Sequence, residues 1–277
     1  MTRTLAARVP AHGAGALEAL ARTGFIVKGV LYVVVGVLAL RVAAHDGGRV
    51  TGTRGALRTV LEQPFGHALL LAAAVGLFGY AAWRILQGVA DPDGYGTGWT
   101  GLGMRIGFIG RGIMHAAIGR QAWLFYEGVQ VHASGTERAM AAQAMAWPFG
   151  AWVLVIIGVV MIAFAISQVH DAWSGHLEDN LDLAELRREA GPWAVTVSRF
   201  GIASRAVLLA LLGWGAAMAG WSHDAGAMPT TVSPMRLLAA QPGDLGRFLL
   251  AVAAAGSIAY GVYQFLHARY LRIRLAR

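Results

Sequence analysis

The sequence predicts an all-α membrane protein in which six transmembrane helices form three parallel two-helix hairpins with pseudo-three-fold symmetry. Three observations predict it. The 277 residues are 56% hydrophobic and 14% charged, against about 45–50% and about 25% in globular domains. Six apolar stretches approach the roughly 20 residues that a spanning helix needs. One set of markers then recurs three times at nearly fixed offsets, the sign of an internal repeat.

The six stretches are Gly24–Ala44, Phe65–Gly88, Ile106–Tyr126, Trp147–Gln168, Phe200–Gly220 and Gly246–His267. The first lies far from Met1 and runs directly into Arg41, so it is expected to be an uncleaved span rather than a signal peptide. Paired in order, the spans give a tail over 1–20, hairpins over 21–90, 104–170 and 196–268, a linker over 171–195 and a basic tail over 269–277.

The markers define the repeat. Arg22-Thr-Gly24-x3-Lys28-Gly29 recurs as Arg105-Ile-Gly107-x3-Arg111-Gly112 and as Arg199-Phe-Gly201-x3-Arg205-Ala206. Twelve residues beyond each first glycine stands another: Gly36, Gly119 and Gly213. The second spans open at Pro64-Phe-Gly66, Pro148-Phe-Gly150 and Pro242-Gly243, and each carries a polar residue near its far end: Arg84, Gln168 and Gln264. Because all three hairpins enter and leave on one side, the repeats are parallel.

Inside each hairpin, Thr53, Thr136 and Ser233 are placed as N-caps of short helices, with Pro234 at a first helical position. Ala56, Leu57, Val60 and Leu61 make the first of these helices amphipathic, suited to lying flat at an interface. The termini and the linkers between hairpins hold 15 of the 23 Lys and Arg residues, which puts both termini in the cytoplasm. The linker segment Glu178–Glu189 reads as a short helix, acidic first and basic last as the helix dipole prefers, and is expected to be a solvated connector.

The motif Arg-x-Gly-x3-(Lys/Arg)-Gly opening one span, with Pro-Phe-Gly opening the next, resembles a bacterial membrane family known as domain of unknown function 1206. The resemblance covers Ala21 to His267 in three copies. It implies a six-span inner-membrane protein and brings no catalytic residues with it. The third copy departs from the pattern, with Ala206 for Gly and Pro242-Gly243-Asp244 for Pro-Phe-Gly.

Several chemistries lack their residues. With no cysteine there is no disulfide, thiolate nucleophile or Cys-ligated metal. No phosphate-binding loop, dinucleotide fingerprint or serine-hydrolase elbow is present, and the glycines around Gly103, Gly107 and Gly110 are expected to serve close helix packing. Among the nine histidines only His115 lies well inside a span, so neither a metal nor a haem is expected. The expectation is therefore a non-enzyme without cofactor, and a basic charge directed at membrane rather than nucleic acid.

The cations remain. Lys28, Arg111 and Arg205 lie six residues past the first motif arginines, about 9 Å along a helix and about 120° around it. One cation of each pair is expected to face lipid headgroups and the other the bundle. Arg84, Gln168 and Gln264 return to a comparable depth. Plain snorkelling of these cations to lipid headgroups is the first reading; together with His115, which shares a face with Arg111, these residues are otherwise the candidate site for an anionic lipid headgroup or small anion. The leading expectation is an inner-membrane binding or scaffold protein contacting the bilayer, anionic lipid or a partner membrane protein. A transporter or channel for an anionic solute is the alternative, and a membrane enzyme or haem protein the third reading.

Overall fold

A chain segment crossing lipid must satisfy its own backbone, and these apolar runs do so as long helices. The computed structural model describes residues 11–44, 50–92, 94–129, 136–174, 183–230 and 232–270. In order the helices are α1 (Ala11–Ala43), α2 (Thr53–Leu61), α3 (Gly66–Ala90), α4 (Trp99–Tyr126), α5 (Thr136–Met145), α6 (Gly150–Ser174), α7 (Leu183–Ala190), α8 (Pro192–Trp221), α9 (Ser233–Ala239) and α10 (Asp244–Tyr270), with one 3₁₀ turn at Ala225–Ala227. No strand occurs among the described residues.

Among those residues, five helices are long and apolar enough to cross a membrane: α1 from Arg22 onward, α3, α6, α8 and α10. The chain is thus a helical, multi-pass membrane protein. The third expected span forms α4, which is 28 residues long. It is not one of the five, because Arg105, Arg111, His115 and Arg120 interrupt its apolar surface.

The closest helix pairs are α3 with α4, α6 with α8, and α1 with α10. Each joins the returning helix of one repeat to the entering helix of another. Glycines make the approach close, as expected where lipid supplies no hydrophobic drive and backbones must meet. A side chain at Gly36 would meet Ile258 and Ala254 of α10. One at Gly119 would meet Leu77 and Phe78 of α3, and one at Gly213 would meet Gly158 and Met161 of α6. The glycine that recurs twelve residues into each repeat thus seats one repeat on its neighbour.

Within the first and third repeats, α1 packs on α3 and α8 on α10. Gly24 lies against Tyr80 and Gly76, and Gly201 against Tyr260. The second repeat differs. Nothing lies within 4 Å of where a side chain at Gly107 would begin, and α4 and α6 do not share a packed seam among the described residues. Gly103 and Gly110 face open space as well. The expectation that this glycine-dense stretch serves close packing is corrected there, while Gly112, against Ile85 and Ala81 of α3, fulfils it.

The loop helices also adjust the sequence reading. Thr53 and Ser233 are the first helical residues of α2 and α9 rather than their caps, which are Gly52 and Val232 without side-chain cap bonds. The Ser233 hydroxyl instead accepts from the Thr230 amide at 2.9 Å. α5 begins at Thr136, and its preceding residue lies outside the described residues. α2 lays Ala56, Leu57 and Val60 into the main core.

The structural counterpart of Gly66 and Gly150 in the third repeat is Gly246. It stands fourteen residues before Tyr260, as Gly66 does before Tyr80 and Gly150 before Phe164, and in all three a side chain would collide with backbone of the preceding loop helix or turn.

α7 is not a solvated connector. Its Leu186 is fully buried in a cluster with Ala194, Val195, Tyr263 and Tyr270, pinning the linker onto α8 and α10. The acidic start of that linker, like His176 and the basic residues after Tyr270, lies outside the described residues.

Candidate functional site

The two cations of each repeat do different work. The first motif arginine reaches the carbonyl end of a neighbouring repeat's returning helix. Arg105 donates from Nε to Gly88 O at 2.8 Å and from Nη2 to Val89 O at 2.9 Å, at the end of α3. Arg199 donates from Nε to Ala172 O of α6 at 2.9 Å, and Arg22 from Nη1 to Arg269 O of α10 at 3.4 Å. Helix C-termini carry unsatisfied carbonyls and partial negative charge. These arginines therefore act as caps, which corrects the expectation that they face lipid headgroups.

The second cation turns inward. Lys28 and Arg84 are buried, at 8% and 4% exposure, and both donate to the Tyr80 hydroxyl, at 3.3 and 2.9 Å. Arg84 also donates to Gln87 Oε1 at 3.0 Å. Arg205 donates from Nε to the Tyr32 hydroxyl at 3.1 Å and from Nη1 to Gln168 Oε1, joining α8 to α1 and to α6. Arg111 lies over the Phe108 and Phe164 rings, at 5.2 and 4.8 Å. His115 is buried with Nδ1 2.7 Å from Arg111 O and its ring 4.6 Å from that of Tyr80.

Gln264 is fully buried on α10. Neither its carboxamide oxygen nor its nitrogen has a hydrogen-bond partner among the described residues.

No Asp or Glu occurs in residues 22–43, 66–90, 99–126, 192–221 or 245–270, whereas α6 carries Asp171 three residues past Gln168. Lys28 and Arg205 rest on neutral acceptors and aromatic faces among the described residues. An arginine at mid-bilayer costs about 2.5–3.5 kcal/mol on insertion scales, and a cation–π contact returns about 0.5–2 kcal/mol.

The repeats have relatives. The family model described as Domain of Unknown Function (DUF1206) matches the chain three times, over residues 23–91, 106–175 and 200–271.

The chain belongs to this family.

The uncharacterized protein YxxB of Bacillus subtilis (strain 168) is 28% identical over 254 residues, spanning 92% of this chain and 91% of its own length. No solved structure matches.

The three DUF1206 units place like residues in like contacts. The inward cation of each unit lies over the aromatic ring of the same unit's returning helix: Lys28 over Tyr80 at 4.5 Å, Arg111 over Phe164 at 4.8 Å and Arg205 over Tyr260 at 5.1 Å. Tyr32 and His115, at matching positions, each pack on a ring of another unit, Tyr260 and Tyr80, both at 4.6 Å. The seven candidate residues, Lys28, Arg84, Arg111, His115, Gln168, Arg205 and Gln264, all lie on helices that meet through these contacts.

Sequence reasoning passed over the aromatic partners Tyr32, Tyr80, Phe164 and Tyr260. Their signal was present: Tyr80, Phe164 and Tyr260 each stand four residues before Arg84, Gln168 and Gln264, one helical turn away on the same face. His267, fully buried and stacked on Phe25 at 4.1 Å, was likewise set aside as a span-end residue.

Proposed function

We propose that this DUF1206 protein is a bacterial inner-membrane bundle of six spanning helices, α4 included, that binds an anionic group within a cationic, aromatic interior layer. The chain is a binding or scaffold protein. Its three hairpins close around a pseudo-three-fold axis roughly normal to the membrane, with both termini cytoplasmic. The pairing of α10 with α1 supports that closure, since it repeats between the last and first units the contact made by α3 with α4 and by α6 with α8.

The observation that carries the reading is the gathering of four cations from four helices around one set of rings: Lys28 and Arg84 over Tyr80, Arg111 over Phe164 and Arg205 over Tyr260. Like charges held close together favour an anion among them, and arginine presents a planar fork suited to phosphate or carboxylate.

Replacing Arg111 with Gln tests this. Retention of anionic phospholipid by the purified protein should fall while membrane insertion stays normal. Unchanged retention with normal insertion would leave Arg111 as a helix anchor and remove the site.

A further inference from the structure

Two of the unit-to-unit seams set an inward cation opposite a carboxamide. In the seam of α1 with α10, Phe25 stacks on His267 at 4.1 Å and Tyr32 packs on Tyr260 at 4.6 Å. Seven residues, about two helical turns, separate these contacts along either helix. Lys28 stands three residues past Phe25 and Gln264 three residues before His267, so the antiparallel register sets the two opposite each other between the ring pairs. The Lys28 ammonium lies 5.4 Å from the Phe25 ring. In the seam of α8 with α6 the same register sets Arg205 opposite Gln168. Gly36 and Gly213, each eight residues past the cation, face residues ten and six before the carboxamide: Ala254 and Ile258 in one seam, Gly158 and Ile162 in the other.

The seams differ in how the pair is closed. Arg205 donates directly to Gln168 Oε1. Lys28 instead turns its ammonium to the Tyr80 hydroxyl at 3.3 Å, its one hydrogen bond among the described residues. Gln264 is fully buried, and neither of its amide atoms has a hydrogen-bond partner among the described residues. An ammonium carries three donors, and a carboxamide two donors and an acceptor. Donors and an acceptor thus face each other unspent in one seam, where leaving them so is costly.

We propose that Lys28 and Gln264 bind a small planar oxyanion that keeps one hydroxyl, of the hydrogencarbonate class, in the place that the Arg205 guanidinium takes beside Gln168. The inference rests on the anion-binding reading and names the ligand class and its seat. Lys28 offers charge and donors, so the ligand accepts there and is anionic. The Gln264 nitrogen donates to the same ligand, whereas the Gln264 oxygen needs a donor in return. An anion without a proton, such as nitrate or a phosphodiester, leaves that oxygen unpaired. Shape agrees with charge. The counterpart seam holds a flat, three-armed guanidinium at this depth, lysine ends in a single nitrogen, and hydrogencarbonate has the guanidinium's outline.

The experiment follows thermal unfolding in detergent, at fixed pH and ionic strength, against sodium hydrogencarbonate and sodium nitrate. Hydrogencarbonate should stabilise the wild type at a concentration about tenfold or more below that of nitrate, since its hydroxyl completes Gln264. Gln264→Leu should abolish the preference. Should that variant not fold, Lys28→Arg decides. Its guanidinium meets Gln264 as Arg205 meets Gln168, so the protein should be more stable without added anion and lose the response to hydrogencarbonate. Equal responses of the wild type to the two anions, or an unchanged preference in either variant, overturn the proposal. No response to hydrogencarbonate, with phospholipid retention still dependent on Arg111, overturns it and leaves the anion-binding reading standing. Absence of both effects overturns that reading as well.

Discussion

Three glycines occupy the same motif position in the three repeats, and alanine at each should have different consequences. At Gly24 the new methyl would overlap Tyr80 and stand 2.7 Å from the Gly76 carbonyl oxygen; at Gly201 it would stand 2.6 Å from the Tyr260 Cα. Both neighbours are helix backbone that cannot step aside without parting the hairpin. Overpacking of this kind costs about 1–3 kcal/mol. Against it stands the gain of about 0.5–1 kcal/mol from replacing a helical glycine with alanine. Gly24→Ala and Gly201→Ala should therefore destabilise by up to about 2.5 kcal/mol net. At Gly107 there is no neighbour to displace, so Gly107→Ala should stabilise by about 0.5–1 kcal/mol. Reversible unfolding of the three single variants in mixed detergent reads the differences. A loss at Gly107 as large as at Gly24 and Gly201 would show that the second hairpin is as tightly closed as the others, and would refute the reasoning.

Tyr80→Phe removes the hydroxyl that accepts from both Lys28 and Arg84. It should cost about 1–3 kcal/mol in the same unfolding assay, more than Phe164→Tyr costs. Arg105→Gln removes both donors to the end of α3 and should lower stability by about 1–3 kcal/mol; hydrogen exchange should rise first at the amides around Gly88. Leu186→Ala empties the fully buried anchor of α7. It should cost about 2–5 kcal/mol and expose the linker to limited proteolysis that the wild type resists.

Much of the architecture was legible because each repeat must solve the same packing problem. The glycines at 36, 119 and 213 recur because backbones meet there, and a requirement at fixed depth becomes an offset in sequence. Helical rotation set the two cations of each pair on different faces, without marking which of them turns inward.

The capping role of Arg22, Arg105 and Arg199 was not. It depends on the ends of helices from another repeat, and nothing local to those arginines marks the distant carbonyls. Two further features escaped for similar reasons. The open seam at Gly107 is invisible because an unfilled glycine and a packed one are written alike. The docking of α7 turns on the single residue Leu186 in a segment otherwise polar enough to read as solvated. The polar surface of α4 was legible, since Arg105, Arg111, His115 and Arg120 stand in plain view, but apolar residues between them made the stretch read like its five companions.

The most direct test of the interior anion site is an experimental density map of the protein purified in the presence of phosphatidylglycerol. The account predicts density of phosphate size within hydrogen-bonding reach of Arg111, Arg205 or Lys28. A layer in which these side chains contact protein and water alone, with lipid density confined to the outer surface of the helices, would contradict it.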